Sequence, residues 1–339
     1  LRHCLHAHLE PLVEQLNPPF VIALGDGPLV ALTGLKGDKL HLKDLRGWVL
    51  EGLPIIGQRP VIASYDPADL RRGEMELLGV LGQDLGKAMR LAREGWTPAR
   101  IKSRAYTVDP SPDYMRNYLD LMRKRPSWPV AFDIETNYSL KLNDEEELRK
   151  NLNEITQVQF TFEPTSAVVM QWREPWQSFA REVLALPNPK VGFNSWIFDE
   201  PILNAAGITL GGTHHDVMWM WNALEPDLPR GLQYVASFFA GHEAKPWKHT
   251  SEADLATYGG HDVAILIQIY PEIRKALEAS RCLPAYERYM LQLWPILKRM
   301  GERGLPISLE QRSAFEQWLG EESRKTFLEL QELVPAAWS

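Results

Sequence analysis

Two carboxylates at the end of an apolar segment are the first residues of this sequence that could do chemistry. Asp133 and Glu135 lie in VAFDIET, where the two-residue period of a strand places both side chains on one face. Neither carboxylate can be buried without a partner. Binding of a divalent cation, the chemistry open to such a pair, needs further ligands, and an Asp-x-Glu alone is weak evidence in a chain with 44 acidic residues.

Further acidic residues follow in order along the chain. Asp199 lies in GFNSWIFDEPIL, just after the predicted strand Lys190–Phe193, and Asp262 lies in YGGHDVAILIQIY. Tyr258 and Asp262 are four residues apart and share one face of a predicted helix. Taken singly, each acidic residue is explained as well by a helix cap or by a surface position.

The joint pattern is more specific than any single motif. FDIET, Asn194-x-x-x-Phe198-Asp199 and Tyr258-x-x-x-Asp262 resemble the three exonuclease motifs of the DEDD superfamily, and Tyr258 in place of a His is typical of the DEDDy type. KVGFNSWIFDEPIL, HDVMWMWNAL and GLQYVASFF are similar to the proofreading domain of family A DNA polymerases such as DNA polymerase I. The resemblance covers about residues 129–278.

The resemblance implies an α/β domain over residues 129–280 with an RNase H-like exonuclease fold, a mixed sheet flanked by helices. Carboxylates that converge on one site repel each other unless cations neutralise them, and oxygen ligands favour Mg²⁺ or Mn²⁺. Two such ions would activate a water and stabilise both oxygens of an in-line displacement at phosphorus. The expected ligands are Asp133, Glu135, Asp199 and Asp262.

Individual roles follow from the same resemblance. Asp133, Glu135 and Asp262 are expected to hold the ion that carries the nucleophilic water, and Asp133 and Asp199 relate to the second ion. Tyr258 is a poor base at neutral pH, because the ordinary tyrosine pKa is about 10, so we expect it to orient the water while Glu135 is the better proton partner.

The resemblance also implies residues that contact the substrate. These are Thr136, Asn194 and Phe198.

The chain before these motifs alternates strands and helices. PFVIALG and PVIASY are typical of buried strands and Leu77–Glu94 of a closing helix, which predicts a small α/β domain over residues 1–96. It resembles the carboxyl-terminal two-thirds of a uracil-DNA glycosylase-like domain. That family has a His where this chain has Asp66, and an anion there would oppose the charge that develops on a departing uracil. We therefore expect a partial, catalytically inactive glycosylase-like domain.

The remaining segments are a linker and a helical end. Residues 97–128 hold scattered prolines and predict a linker with one short helix around Tyr114–Met122. Residues 281–339 contain LWPILKRMGERGLPIS, which resembles the start of a polymerase thumb, and polymerase palm motifs do not follow it. The chain is not expected to polymerise.

Composition narrows the class of protein. The net charge of −7 argues against wrapping a nucleic-acid backbone broadly, and the longest apolar runs of about five residues are too short to span a membrane. Two cysteines cannot form a disulfide framework. A cytoplasmic protein without membrane contact is the expectation.

Three functions remain open at this point. The leading hypothesis is a metal-dependent 3′–5′ exonuclease that releases nucleoside monophosphates from single-stranded DNA 3′ ends or frayed primer termini, working with a polymerase domain in cis or in trans. A second is a non-catalytic module that binds single-stranded or uracil-containing DNA. A third is a related 3′–5′ exoribonuclease, because the metal chemistry does not depend on the sugar.

Overall fold

The computed structural model describes residues 5–35, 41–95, 104–136, 154–240 and 255–333. The chain forms two compact units, Leu1–Leu291 and Gln292–Ser339. The first unit contains two β-sheets, and the predicted site residues lie on the second sheet, on the long helix packed on it, and at the start of the helix Asp199–Ala205.

A three-stranded sheet forms the amino-terminal layer, which we define as residues 5–95. Its strands have the order β1-β3-β2, with β1 parallel and β2 antiparallel to β3. The strands are β1 (Val21–Leu24), β2 (Val49–Leu50) and β3 (Val61–Ser64). The helices are α1 (Glu10–Leu16), preceded by a π-helical turn at Leu5–Leu9, α2 (Asp26–Thr33), α3 (Leu42–Leu45), α4 (Pro67–Arg71) and α5 (Leu77–Glu94), with a 3₁₀ turn at Pro54–Ile56.

The predicted elements of this layer are confirmed, whereas its resemblance to glycosylases stays a prediction. Both predicted strands form and pair in parallel, and the closing helix has the predicted bounds. Asp66 caps the amino terminus of α4, where its carboxylate accepts the amide of Ala68 at 2.9 Å. That hydrogen bond satisfies one of the unpaired donors at a helix start and gives Asp66 a structural role.

The second sheet, called the main sheet below, has six strands in the order β4-β7-β6-β5-β8-β9. The pairs β5–β6 and β6–β7 are antiparallel, and the pairs β4–β7, β5–β8 and β8–β9 are parallel. This mixed sheet flanked by helices confirms the predicted fold class. The strands are β4 (Ala105–Val108), β5 (Val130–Thr136), β6 (Ile155–Thr161), β7 (Ser166–Gln171), β8 (Lys190–Gly192) and β9 (His214–Asp216).

Helices cover both faces of the main sheet. They are α6 (Pro112–Arg123), α7 (Trp176–Ala185), α8 (Asp199–Ala205), α9 (Val217–Leu224), α10 (Leu232–Phe239) and α11 (Leu255–Ala279). A helical turn α12 (Leu283–Ala285) and a π-helical stretch at Tyr286–Met290 follow α11.

The two faces of the main sheet differ in chemistry because side chains alternate along each strand. One face carries large apolar residues such as Phe132, Phe160 and Met170, which pack with α6, α7 and α8 into the main hydrophobic core. The opposite face carries Asp133 and Glu135, and α11 lies across this face. The candidate carboxylates therefore occupy the polar face, between the sheet and one long helix.

Two sequence predictions need correction. The predicted linker over residues 97–128 contains an edge strand, because Ala105–Val108 pairs with β7 and Met115 of α6 is fully buried in the core. Five prolines between residues 97 and 129 suggested a linker, and a four-residue strand is too short to show alternation. For Thr213–Leu224 the periodicity of the sequence predicts one helix, but this segment begins with the parallel edge strand β9. The short helix predicted near Tyr114 is confirmed as α6.

The second unit is helical, as predicted. Helix α13 (Leu291–Arg303) leads into it and α14 (Leu309–Leu333) follows. Within the described ranges, no helix is long and apolar enough to cross a membrane.

A pair of glycines lets α11 approach the polar face closely. A Cβ atom at Gly259 would lie 2.6 Å from the amide nitrogen of Gln159, and one at Gly260 would lie 2.8 Å from the ring of Tyr106. Glycine inside a helix costs about 1 kcal/mol relative to alanine. The close approach offsets that cost, because it places Tyr258, directly before the pair, and Asp262, two residues after it, against the sheet.

We expect Gly260→Ala to destabilise the protein by about 1–3 kcal/mol, because the ring of Tyr106 and the side chain of Val169 must move. The matched control is Gly82→Ala in α5, where a Cβ would meet no atom within 4 Å and the helix propensity of alanine should raise stability by up to about 1 kcal/mol. Urea unfolding measures both free energies. Equal effects of the two substitutions would show that the glycine pair does not set the distance between helix and sheet.

Candidate active site

Asp133 is held on the polar face by a chain of glutamine side chains. Its carboxylate accepts a hydrogen bond from the amide nitrogen of Gln159 at 2.6 Å, and Gln157 donates to the side-chain oxygen of Gln159 at 3.0 Å. The register of β5 against β6 places Gln159 directly opposite Asp133 and Gln157 opposite Glu135. Burial raises the pKa of Asp133 to about 6, although the hydrogen bond from Gln159 opposes the rise.

Asp199 approaches Asp133 from the first turn of α8. Its carboxylate, only 2% exposed, accepts the amide of Ile134 at 3.0 Å, which ties the start of α8 to the strand between the two β5 carboxylates. Burial, and then the charge of Asp133, raise the pKa of Asp199 well above the ordinary value. The two carboxylates therefore lie close enough to repel each other.

Glu135 completes the acidic part of the strand. Burial raises its pKa to about 7, and the charge of Asp133 adds to the rise. Three carboxylates in one partly buried region thus all favour their protonated forms when no cation is present. A bound cation would stabilise the charged forms of these carboxylates and so remove this penalty.

Tyr258 and Asp262 face the same region from α11. They are hydrogen-bonded to each other, and the pKa of Tyr258 is raised by burial and then by the charges of Asp262, Asp133 and Glu135. A tyrosine that senses all three carboxylates lies within electrostatic reach of both β5 and α11. The structure therefore brings the five predicted catalytic residues to one side of the main sheet.

The site offers carboxylate oxygens, which are the ligands that hard divalent cations prefer. Burial disfavours the charged forms of these carboxylates, and a bound cation would offset that cost. Asp133, Glu135, Asp199 and Asp262 are the residues that would hold it. Within the described ranges, no group of three His, Cys, Asp or Glu side chains already stands at the spacing of metal ligands. Binding therefore requires these side chains to move toward a shared ion.

A buried carboxylate in HDVMWMWNAL orders the loop that leads to Asp199. Asp216 accepts the amides of Asn194, Trp196 and Met218, each at 3.0 Å. Asn194 adopts a left-handed conformation with φ of 56°, which asparagine tolerates better than most residues. This hydrogen-bonded loop fixes the point at which α8 begins.

The predicted substrate-contacting residues lie next to the carboxylates in sequence. Phe198 directly precedes Asp199 and is 37% exposed, while Thr136 ends β5 at an irregularity in the register with β6. Asn194 lies in the loop ordered by Asp216. Their contact with a substrate stays a prediction.

A Ser–His–Glu series in this region cannot act as a nucleophile. The hydroxyl of Ser195 lies 2.9 Å from Nε2 of His214, whose Nδ1 lies 3.0 Å from Glu200. Ser195 is fully buried, so no substrate can reach it. The series instead connects the loop before α8 to β9.

An open cavity of about 290 Å³ borders the α11 side of the site. Tyr258 and Asp262 line it on one side, and Leu232 and Gln233 at the start of α10 line another. Through this cavity, a ligand from solvent can reach these side chains.

Sequence reasoning missed the residues that support the carboxylates. Gln157 and Gln159 donate into the acidic cluster, and Gly259 makes room for Gln159. The alternation Gln-Val-Gln in β6 was the available signal, because it predicts two polar side chains on one face of a buried strand.

No family model and no curated protein matches the chain. Among solved structures, the chain is similar to NrnC of Brucella melitensis bound to pGG, with 18% identity over 61% of this chain and 98% of that one and a TM-score of 0.44. It is similar to Escherichia coli RNase D, an exoribonuclease involved in structured RNA processing, with 18% identity over 56% and 50% of the two chains and a TM-score of 0.39. It is also similar to the POL domain of Pol1 from M. smegmatis in complex with DNA primer-template and dNTP, with 13% identity over 64% and 35% and a TM-score of 0.49. The alignment thus spans half of the RNase D chain and about a third of the Pol1 chain. At these identities the likeness concerns the fold alone.

We expect Asp133→Asn to stabilise the metal-free protein at pH 8 by about 1–3 kcal/mol. The folded-state pKa of Asp133, about 6, lies above its ordinary value, so its ionisation lowers stability as pH rises from about 4 through 6. The advantage of the variant should therefore vanish near pH 4. Thermal unfolding in EDTA between pH 4 and pH 8 measures it.

The matched control for this experiment is Asp120→Asn on α6, a carboxylate that is 61% exposed. It should change stability by less than about 0.5 kcal/mol at every pH. If the stability of the Asp133→Asn variant depended on pH in the same way as that of wild type, the pKa of Asp133 would not be raised by burial in the folded protein.

Proposed function

We propose that this chain is a metal-dependent 3′–5′ exonuclease that hydrolyses DNA phosphodiester bonds and releases nucleoside monophosphates. The observation that carries the proposal is the meeting of Asp133, Glu135 and Asp199 with the hydrogen-bonded pair Tyr258–Asp262 on one face of the main sheet. A structural role alone does not explain several carboxylates whose pKa values are raised by burial, with the charge of Asp133 adding to the rise at Glu135 and Asp199, because that arrangement destabilises a metal-free protein.

Different side chains have different roles in the proposed hydrolysis. A divalent cation held by Asp133, Glu135, Asp199 and Asp262 would act as a Lewis acid toward water and the phosphate. Glu135 is the proposed acceptor of the proton from the attacking water, because it is a half-buried carboxylate on the same face of β5 as Asp133. Tyr258 keeps its proton, since its pKa is raised above the ordinary value. Its hydroxyl therefore orients the water through a hydrogen bond and does not serve as a base.

We propose that DNA is the preferred substrate. This preference is supported by the resemblance of KVGFNSWIFDEPIL and GLQYVASFF to polymerase proofreading domains. The proposed substrate is a single-stranded 3′ end or a frayed primer terminus, presented by a polymerase domain in cis or in trans. Mg²⁺ or Mn²⁺ is the proposed cofactor.

A 5′-labelled single-stranded oligonucleotide tests the proposal directly. With Mg²⁺, wild type should shorten the DNA stepwise from its 3′ end, and EDTA should abolish the ladder. Asp133→Ala should lower the rate by at least about 10³-fold, because it removes a cation ligand at the centre of the site. The control Asp120→Ala, an exposed carboxylate, should retain the wild-type rate.

The same assay on an RNA oligonucleotide tests the substrate. A higher rate on RNA would overturn the DNA preference while leaving the exonuclease proposal intact. Endonucleolytic products, or an EDTA-resistant rate, would contradict the exonuclease proposal itself.

A further inference from the structure

The cavity beside Tyr258 and Asp262 has a wall that belongs to the amino-terminal layer. Lys43 and Asp44 of α3 line it together with Leu232 and Gln233 of α10. Nearly 200 residues of sequence separate α3 from α10, so the fold itself builds this cavity from two layers. The motifs around Asp133, Asp199 and Asp262 contain no hint of such a contribution.

A buried polar network fixes α3 in place against α10. Arg46, 1% exposed, follows α3 directly and donates to both carboxylate oxygens of Asp84, with Nε at 3.0 Å from one of them. It also donates to the hydroxyl of Ser237 at 2.9 Å, and its guanidinium lies 4.1 Å from the ring centroid of Phe238. Ser237 and Phe238 belong to α10, so one arginine joins the two layers.

The network leaves little room for movement at this junction. Ser64 donates to the carboxylate of Asp84 at 2.7 Å, and Lys87 donates to the carbonyl of Ser237 at 3.1 Å. A Cβ at Gly47 would lie 2.7 Å from Asp84, so the chain after Arg46 is packed against the same carboxylate. Arg46 donates three hydrogen bonds within this network, and breaking the buried pair would leave an uncompensated charge.

The charges of the side chains that line the cavity indicate which class of ligand it binds. Among its described lining residues Lys43 is the one cation, and Asp44 and Asp262 are acidic. Lys43 is exposed to solvent, so its ammonium group is available to an anion entering the cavity. A volume of about 290 Å³ suits a single small group, near the lower end of ligand cavities at roughly 300 Å³.

We propose that the amino-terminal layer is part of the nuclease site and that Lys43 binds a phosphate of the substrate strand next to its 3′ end. This inference rests on the proposed function and deepens it. Strand phosphates approaching Asp262 and Asp44 meet like charge, and a lysine fixed at the wall offsets that repulsion. The amino-terminal layer thereby positions the substrate strand.

The experiment compares Lys43→Gln with Lys124→Gln, which removes the same charge from the exposed end of α6 on the opposite face of the main sheet. Steady-state hydrolysis of an oligothymidylate is measured at several salt concentrations. Lys43→Gln should raise KM by about 3–10-fold at low salt and leave kcat within about twofold, since the phosphate lies beside the reacting bond. The magnitude of the slope of log KM against log salt should fall by about 0.7, the value for one phosphate contact on a single strand. Lys43→Glu should raise KM further.

Fluorescence anisotropy of the same labelled oligonucleotide in EDTA keeps the test independent of turnover. Lys43→Gln should weaken binding there with the same loss of salt dependence, and Lys124→Gln should match wild type. Equal binding and equal KM for the two variants would overturn the role of Lys43 while leaving the exonuclease proposal standing. A wild-type protein that binds the strand through Lys43 but cuts neither DNA nor RNA would instead overturn the proposed function alone.

Discussion

The burial of Asp133, Glu135 and Asp199, together with the repulsion that Asp133 exerts on the other two, determines the energetics of this site. These carboxylates lie on the polar face of the main sheet, where burial disfavours their charged forms. The opposite face forms the main hydrophobic core, so alternation along the same strands places core residues on one face and the candidate carboxylates on the other. Gln159 and the amide of Ile134 partly offset the repulsion. A cation would offset the remainder, so we expect cation binding to stabilise the folded chain.

The other constraint is the junction between the two sheets. Arg46 and Asp84 are both almost fully buried, and their pairing is completed by Ser64 and Ser237. Replacing a buried ion pair with apolar residues is often neutral for stability, so such a pair is weak evidence of a stabilising role. Its geometric effect is clearer, because it holds α3 and α10 together at the border of the cavity beside Tyr258. A specific buried contact therefore holds the amino-terminal layer against α10, beside the candidate site.

The sequence predicted which of these side chains share a face of a strand or helix, because strand and helix periods are local. Asp133 and Glu135 share a face by a two-residue spacing, and Tyr258 and Asp262 by a four-residue spacing. Edge strand β4 was missed since four residues flanked by prolines carry no usable period. The contribution of Lys43 was missed for a different reason: nothing in its own segment signals contact with α10. That contact depends on Arg46 reaching Ser237, a pairing across 191 positions which no local pattern encodes.

Calorimetric titration of Mn²⁺ into the chelator-treated protein at pH 7.5 measures whether the polar face of the main sheet binds a cation. We expect saturable binding of one or two ions per chain, with release of protons from the carboxylates whose pKa values are raised. Asp199→Asn should weaken that binding at least about tenfold, whereas an exposed substitution such as Asp120→Asn should not. Absence of binding at millimolar Mn²⁺, or binding that is unchanged in Asp199→Asn, would show that the polar face is not a cation site.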